Sequence, residues 1–278
     1  MSIVGRIDLT PFVERWNLTV EGRPEAGNDI LYVRRGDEPL VLKGLDPAED
    51  EWRMGAVLAH WDGQGAVRLI ESAPGAVLVE RALPGGELAA VALSGEDDRA
   101  IEIYCEMSAR LRKPAPVTGA FRRIEDWGRG FARTRQKALE SGFTARRLDA
   151  AAGIFQDLCV SQGPPVLLHG DLHHHNIVED QHRGWLAIDP KGVLGEAEYE
   201  VGAILRNPQG STAHWNAAVQ GRRIAILAER LGYDRQRLAA WNFSQAVLSC
   251  IWGIDWGNFE PRWMNIVEAA AEVAGIPA

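Results

Sequence analysis

Two polar loops hold the residue types best suited to chemistry. The first lies within Val166-Leu167-Leu168-His169-Gly170-Asp171-Leu172-His173-His174-His175-Asn176-Ile177-Val178, the second within Trp185-Leu186-Ala187-Ile188-Asp189-Pro190-Lys191-Gly192. Each loop is held between short apolar runs, which read as strands, so Asp171, Asn176 and Asp189 are presented from a stiff frame. Phosphoryl transfer requires this set of groups. One carboxylate orients the attacking hydroxyl and accepts its proton, and two oxygen ligands hold magnesium against the nucleotide phosphates. An Asp with an Asn at i+5, then a second Asp closing an apolar strand, is the logic of a kinase catalytic loop with altered flanks. Histidine offers a rival chemistry, because His169, His173, His174 and His175 stand close together and helical i, i+4 spacing would suit zinc. Gly170 and the strand-like flanks argue against a helix here, and His182 and His214 are too isolated to complete a tetrahedral site.

The elements that must position these loops follow from pattern. Strands are expected at Trp16–Val20, Ile30–Val33, Pro39–Lys43, Ala66–Ile70 and Ala76–Glu80, separated by Gly22, Gly27 and Gly36-Asp37. Asp46-Pro47-Ala48-Glu49 reads as a helix start, with Asp as N-cap, Pro at the first helical position and Glu as capping partner. That helix should run to His60-Trp61 and stop at Asp62-Gly63. Leu83-Pro84-Gly85-Gly86 breaks regular structure and marks a boundary. Beyond it apolar residues recur at helical spacing: Ile101, Tyr104, Cys105 and Leu111, then Ile124, Trp127 and Phe131, then Leu148, Ala151, Phe155 and Leu158. Helices should resume around Ile224–Leu231, around Leu238–Leu248 and near the end. The expectation is an α+β chain with a strand-rich lobe (1–85) and a larger helical lobe (86–278).

Composition agrees with a globular protein. The 278 residues are 46% hydrophobic and 24% charged, and 30 basic against 38 acidic residues give a net charge of −8. That balance disfavours a nucleic-acid partner, which needs a basic face, and suits a small cation. No apolar run approaches the ~20 residues that span a bilayer, and Met1–Asp8 has no secretory pattern. Cys105, Cys159 and Cys250 are three in number, widely spaced and set in helix-like apolar patterns, so they read as core thiols. The expectation is a cytoplasmic protein, monomeric or weakly dimeric, without membrane or nucleic-acid partners.

The motif His169-Gly170-Asp171-Leu172-His173-x-x-Asn176, followed by Ile188-Asp189-Pro190-Lys191-Gly192, resembles the aminoglycoside phosphotransferase family. The continuation Val193-Leu194-Gly195-Glu196 through Tyr199-Glu200 to Leu205-Arg206-Asn207-Pro208 resembles its streptomycin 6-phosphotransferase branch, the aminoglycoside/hydroxyurea antibiotic resistance kinases. So do Gly65–Leu69 and Leu78–Gly85. The resemblance covers residues 15 to 210 and is weakest in the last seventy. It implies a bilobal protein-kinase-like fold, with ATP and Mg²⁺ as cofactors. Asp171 would be the catalytic base, and Asn176 and Asp189 the magnesium ligands. Lys43 would reach the α- and β-phosphates and pair with a helix carboxylate. Glu51 is favoured for that pair because it shares an inward face with Met54 and Leu58, whereas Glu49 is taken up by the cap and Asp50 points away. The hinge, Glu80 to Leu83, would meet adenine through the Glu80 carbonyl and the Ala82 amide, with side-chain identity mattering little. Lys191 would touch the γ-phosphate or the acceptor. The chain departs from its relatives at Glu21–Asn28, where no GxGxxG stands over the phosphates, and at Glu200, where many relatives brace the loop with Asp.

The acceptor pocket is the least legible part. A guanidinium- or amine-rich substrate calls for carboxylates and aromatic faces, and Trp252–Glu260 supplies them in Asp255, Trp256 and Glu260. Glu196 and Glu198 are further candidates. The implied activity is transfer of the ATP γ-phosphoryl group to the 6-hydroxyl of streptomycin. The alternatives are hydroxyurea or another small hydroxylated molecule as acceptor, a non-catalytic pseudokinase, and the zinc hydrolase disfavoured above.

Overall fold

A computed structural model describes residues 7–24, 29–116, 121–208 and 211–277. The alternating apolar residues of the first lobe build α1 (Thr10–Arg15), β1 (Thr19–Gly22), β2 (Ile30–Arg35), β3 (Glu38–Gly44), α2 (Met54–Trp61), β4 (Leu69–Ala73) and β5 (Ala76–Glu80). The strands form one antiparallel sheet in the order β1-β2-β3-β5-β4. Leu9, Trp16, Val33, Leu40, Leu42 and Leu78 fill one core of this lobe.

Three details differ from the sequence reading. Trp16 caps α1 rather than opening a strand, because Asn17 takes a left-handed conformation (φ 52°) and the strand starts only at Thr19. The helix expected from Asp46 begins later. Asp46 Oδ1 accepts a local turn bond from the Ala48 amide, Glu49 makes no side-chain cap, and a 3-10 turn at Asp50–Arg53 leads into α2. That helix ends where expected, at Asp62, in the left-handed region. Ala66 and Val67 leave the expected strand to pair with the second lobe: Val67 N–H donates to Ala187 O (3.0 Å), and Ala187 N–H donates to Gly65 O (2.9 Å).

The second lobe comprises β6 (Pro84–Glu87), α3 (Leu88–Leu93), α4 (Asp97–Leu111), β7 (Arg122–Arg123), α5 (Ile124–Gly128), α6 (Gly130–Arg133), α7 (Arg135–Glu140), α8 (Ala145–Val160), β8 (Val166–Leu168), β9 (Ile177–Asp180), β10 (Gly184–Ala187), β11 (Val193–Gly195), α9 (Val201–Arg206), α10 (Ala217–Leu231), α11 (Arg235–Trp256) and α12 (Met264–Val273). The Pro-Gly-Gly segment read as a plain breaker is strand β6, which pairs with β9 in a small sheet ordered β10-β9-β6. A second core packs Phe155, Tyr199, Trp241, Phe243 and Leu248 between α8 and α11. A third is shared by the lobes: Val57, Trp61 and Val67 pack with Tyr104, Ile177 and Leu186. Cys105 and Cys250 are buried, and burial pushes all three thiols up to about 12. Among the described residues, no helix is long and apolar enough to cross a membrane.

Candidate active site

The antiparallel hairpin of β9 and β10 sets the geometry. Ile177 pairs with Ala187, so the residues just outside that pair, Asn176 and Ile188, also face each other, and Ile188 N–H donates to Asn176 O (3.0 Å). Asp189 follows at once in a left-handed conformation (φ 56°), a backbone state that aims its carboxylate off the strand axis. One strand along, Val193 of β11 pairs with Leu168 of β8, so the loops after β8 and after β10 lie against each other. They are stitched together. Lys191 and Gly192 amides both donate to His169 O (2.9 and 3.1 Å). His169 Nδ1 accepts from the Asp171 amide (3.2 Å), so its proton sits on Nε2, which donates to Ile188 O (2.7 Å). Burial holds this imidazole at about 4, neutral at physiological pH, and it stacks on Trp61.

Glu200 braces the first loop from the 3-10 turn that leads into α9. Its two carboxylate oxygens accept from the His169 amide (2.6 Å) and the Gly170 amide (2.9 Å). Burial raises this carboxyl to about 7 in spite of those bonds. Gly170 has φ 85°, and a Cβ there would sit 2.7 Å from the Trp127 ring, so the loop can approach α5 only with glycine.

Asp171 is fixed by its own backbone and its neighbours. Asn176 Nδ2 donates to Asp171 O (2.9 Å), Lys191 Nζ lies 3.0 Å from Asp171 Oδ2, and His173 Nε2 lies 3.9 Å from Oδ1. Burial alone would push the carboxyl up, but the Lys191 ammonium and the two histidines outweigh it and hold Asp171 at about 2. The Asn176 bond uses the amide nitrogen, which leaves the carbonyl Oδ1 to accept a hydrogen bond or ligate a cation.

Lys43 joins the lobes. Its Nζ lies 2.5 Å from Glu51 Oε2 and 2.8 Å from Asp189 Oδ1. Burial would lower this ammonium, and the two carboxylates outweigh burial and raise it. Asp50 instead pairs outward with Arg122. An Asp carboxylate and an Asn carbonyl are hard oxygen donors, which suit magnesium and leave its remaining positions to phosphate and water. The histidines serve other ends. His169 is spent on Ile188, His173 Nδ1 accepts from the His175 amide, and His175 Nδ1 meets Glu87 Oε2 at 2.7 Å. Among the described residues no three His, Cys, Asp or Glu side chains converge as a metal site.

The hinge residues lie at the lobe junction. The amides flanking Ala82 are engaged, Arg81 N–H by Pro39 O (3.3 Å) and Leu83 N–H by Asp180 Oδ2 (3.2 Å). The side chain of Glu80 is held by charged neighbours. Its carboxylate accepts from the Arg68 amide (2.9 Å) and Arg68 Nε (2.7 Å), and also pairs with Arg183. Of the loop expected over the phosphates, Glu25–Asn28 lies outside the described residues.

Most of the acceptor candidates are engaged by partners within the chain. Glu196 is 2% exposed and wholly engaged by Arg237, Trp241 and the Gly163 amide, so it is a brace and cannot meet a ligand. Glu198 is half-buried. Asp255 is paired with Arg133 (2.8 Å) and Lys137 (3.4 Å), Glu260 pairs with Arg262, and Trp256 projects outward, 68% exposed. Trp252, one turn before Asp255, meets Trp127 edge to face (5.8 Å), and Trp127 abuts Gly170. Sequence reasoning did not single out Trp127, Arg68 or Arg183. Trp127 sat inside a helical apolar pattern, and the two arginines read as surface charge.

Comparison with known proteins decides the family. The profile of the aminoglycoside/hydroxyurea antibiotic resistance kinases matches residues 15–257. The chain belongs to that family. A streptomycin 3″-kinase of Klebsiella pneumoniae is 37% identical over 251 residues, covering 87% of this chain and 91% of the relative. A streptomycin 6-kinase of Streptomyces glaucescens is 30% identical over 273 residues, covering 92% and 86%. Among solved structures, an aminoglycoside phosphotransferase APH(4)-Ia in ternary complex with ADP and hygromycin B superposes with TM-score 0.63 at 13% identity, over 96% of each chain. The α+β bilobal kinase-like fold expected from the sequence is therefore the one observed. As a member of this kinase family, the chain is a phosphotransferase.

Proposed function

We propose that this kinase transfers the γ-phosphoryl group of ATP to a hydroxyl of streptomycin. The observation that carries the reading is the stitched pair of loops, which brings Asp171, Asn176 and Asp189 together beneath the Lys43–Glu51 pair. Asn176 and Asp189 would hold magnesium, which when bound offsets charge on the transferring group. Lys43 would bind the α- and β-phosphates, and the hinge would take adenine through the Glu80 carbonyl and the Ala82 amide.

Asp171 is ionised at neutral pH, so it accepts a hydrogen bond from the acceptor hydroxyl and aims its oxygen at the γ-phosphorus. The new P–O bond forms as the bond to the β-phosphate oxygen breaks, ADP leaves, and the hydroxyl proton passes to Asp171. A carboxylate held at about 2 is a weak base. Proton transfer therefore comes late, once the attacking oxygen has become acidic, as suits a loose transition state. Lys191 keeps Asp171 in register and stands ready for the phosphate or the acceptor.

The name of the 37% identical relative moves the favoured acceptor from the 6-hydroxyl, expected from the sequence, to the 3″-hydroxyl. Asp255 remains the acceptor carboxylate we favour, because Lys137 at 3.4 Å is its weaker partner and a guanidinium can replace it. The test is ADP release in the presence of Mg²⁺ with streptomycin, then hydroxyurea, with mass spectrometry and NMR locating the phosphate. Phosphate on streptomycin supports the proposal, and its position decides between the two hydroxyls. Turnover with hydroxyurea alone would replace the acceptor, and no ADP release with either would overturn the reading.

A further inference from the structure

The hairpin that carries the two proposed magnesium ligands at its open end grips the hinge with its closed end. In the turn between β9 and β10, Arg183 pairs with Glu80 and donates to the carbonyls of Gly63 and Ala66. Glu80 is only 11% exposed, and Arg68 holds its other oxygen. Asp180 accepts from the Leu83, His182 and Arg183 amides, and Gln181 N–H donates to Leu83 O (2.7 Å). Thus the hinge is hydrogen-bonded from both sides by one four-residue strand and its turn. Just past the other end of the same strand stands Asn176, opposite Ile188, with Asp189 the next residue on. Four residues of strand span roughly 13 Å, the scale of a nucleotide from its base to its terminal phosphate.

We propose that Arg183 and Glu80 are positioning residues, which use the β9–β10 hairpin as a fixed ruler between the base-binding and phosphate-binding ends of the nucleotide site. This rests on the nucleotide reading of the hinge above and goes beyond it. Neither side chain need touch ATP. Their ion pair sets the distance between the hinge backbone and Asn176 and Asp189, so both halves of one nucleotide are met at once. Breaking the clasp leaves each half-site intact and misaligns them, a loss that falls on the whole nucleotide and spares its parts.

The experiment compares binding of adenosine with binding of Mg·ATP by titration calorimetry, in the wild type, Arg183→Ala, Arg183→Lys and Glu80→Gln. For Arg183→Ala and Glu80→Gln, the Kd of Mg·ATP is expected to rise about tenfold while that of adenosine changes less than about twofold. The KM for ATP should follow the Kd, with the KM for the acceptor unmoved, and Arg183→Lys should recover part of the loss. Thermal melting separates this from loss of fold. Equal weakening of adenosine and Mg·ATP, or no weakening of either, would overturn the ruler. Wild-type protein that binds neither ligand would remove the nucleotide reading itself, and the ruler with it.

Discussion

At the scale of single residues, the site is defined by which charges are spent and which are held ready. Asp171 is the clearest case of the second kind, ionised and fixed by Lys191 and by the Asn176 amide. Asp171→Asn keeps the shape and removes the proposed proton acceptor, so turnover should fall by about 10²–10⁴, while calorimetric Mg·ATP affinity stays within a factor of a few. Unchanged turnover would take the base role away from this residue. Glu196 is the opposite case. It has the right chemistry for a cationic acceptor, but its carboxylate is buried against Arg237, Trp241 and the Gly163 amide. Removing one partner of such a pair leaves an uncompensated buried charge. Glu196→Gln should therefore cost about 3 kcal/mol of stability, the low end for a buried pair because Arg237 keeps some solvent contact, read as a drop in the urea midpoint, with the KM for streptomycin unaltered. A raised KM with normal stability would restore Glu196 to the acceptor site.

At the scale of elements, buried imidazoles make the second lobe sensitive to acid. His214, in the loop before α10, has Nε2 against Arg206 O, and burial beside Arg223 holds it at about 4. His174 is held near 2 by burial and the same guanidinium. An unfolded histidine titrates at about 6.5, so below that pH the unfolded chain takes up protons that the folded chain refuses. The contribution of these two histidines is therefore fully present above about 6.5 and is lost as the pH drops toward 4, opposite in sign to that of Glu200, whose raised carboxyl favours the folded chain below about 7. His214→Gln should flatten the fall in urea midpoint between pH 7 and 5. An equal slope in wild type and variant would show that the proton uptake lies elsewhere. The same elements show what a sequence can and cannot disclose. Asp171, Asn176 and Asp189 were legible because their loops sit between apolar runs, and a hairpin register then fixes where the loop ends meet. Glu51 was legible through helical spacing, although its own residues form a 3-10 turn. The role of β6 was not legible, since Pro84-Gly85-Gly86 reads as a breaker and its pairing with β9 spans the lobe boundary. Nor was the burial of Glu196 against Arg237, or the pairing of Asp255 with Arg133, because partners of charged side chains far apart in the chain leave no periodic signal.

At the scale of the molecule, the two lobes are one unit. Val57, Trp61 and Val67 from the first lobe share a buried core with Tyr104, Ile177 and Leu186 from the second, and Lys43 reaches across to Asp189. Neither lobe can shed the other without exposing apolar surface, so calorimetry should show a single unfolding transition. On the proposed reading Mg·ATP binds the folded chain and not the unfolded one, so at a hundred times its Kd it should add about 2.7 kcal/mol to stability. With Asn176 and Asp189 as the proposed magnesium ligands, part of that gain should depend on magnesium. In Asp189→Asn the unfolding transition should remain single, because Glu51 still holds Lys43. The stabilisation by ATP should then be the same with magnesium as with EDTA, whereas in the wild type chelation should reduce it. A magnesium-dependent shift that survives in Asp189→Asn would place the metal elsewhere. Two resolved transitions in the unliganded protein would mean that the lobes fold apart, and that the shared core does not couple the nucleotide site to the rest of the chain.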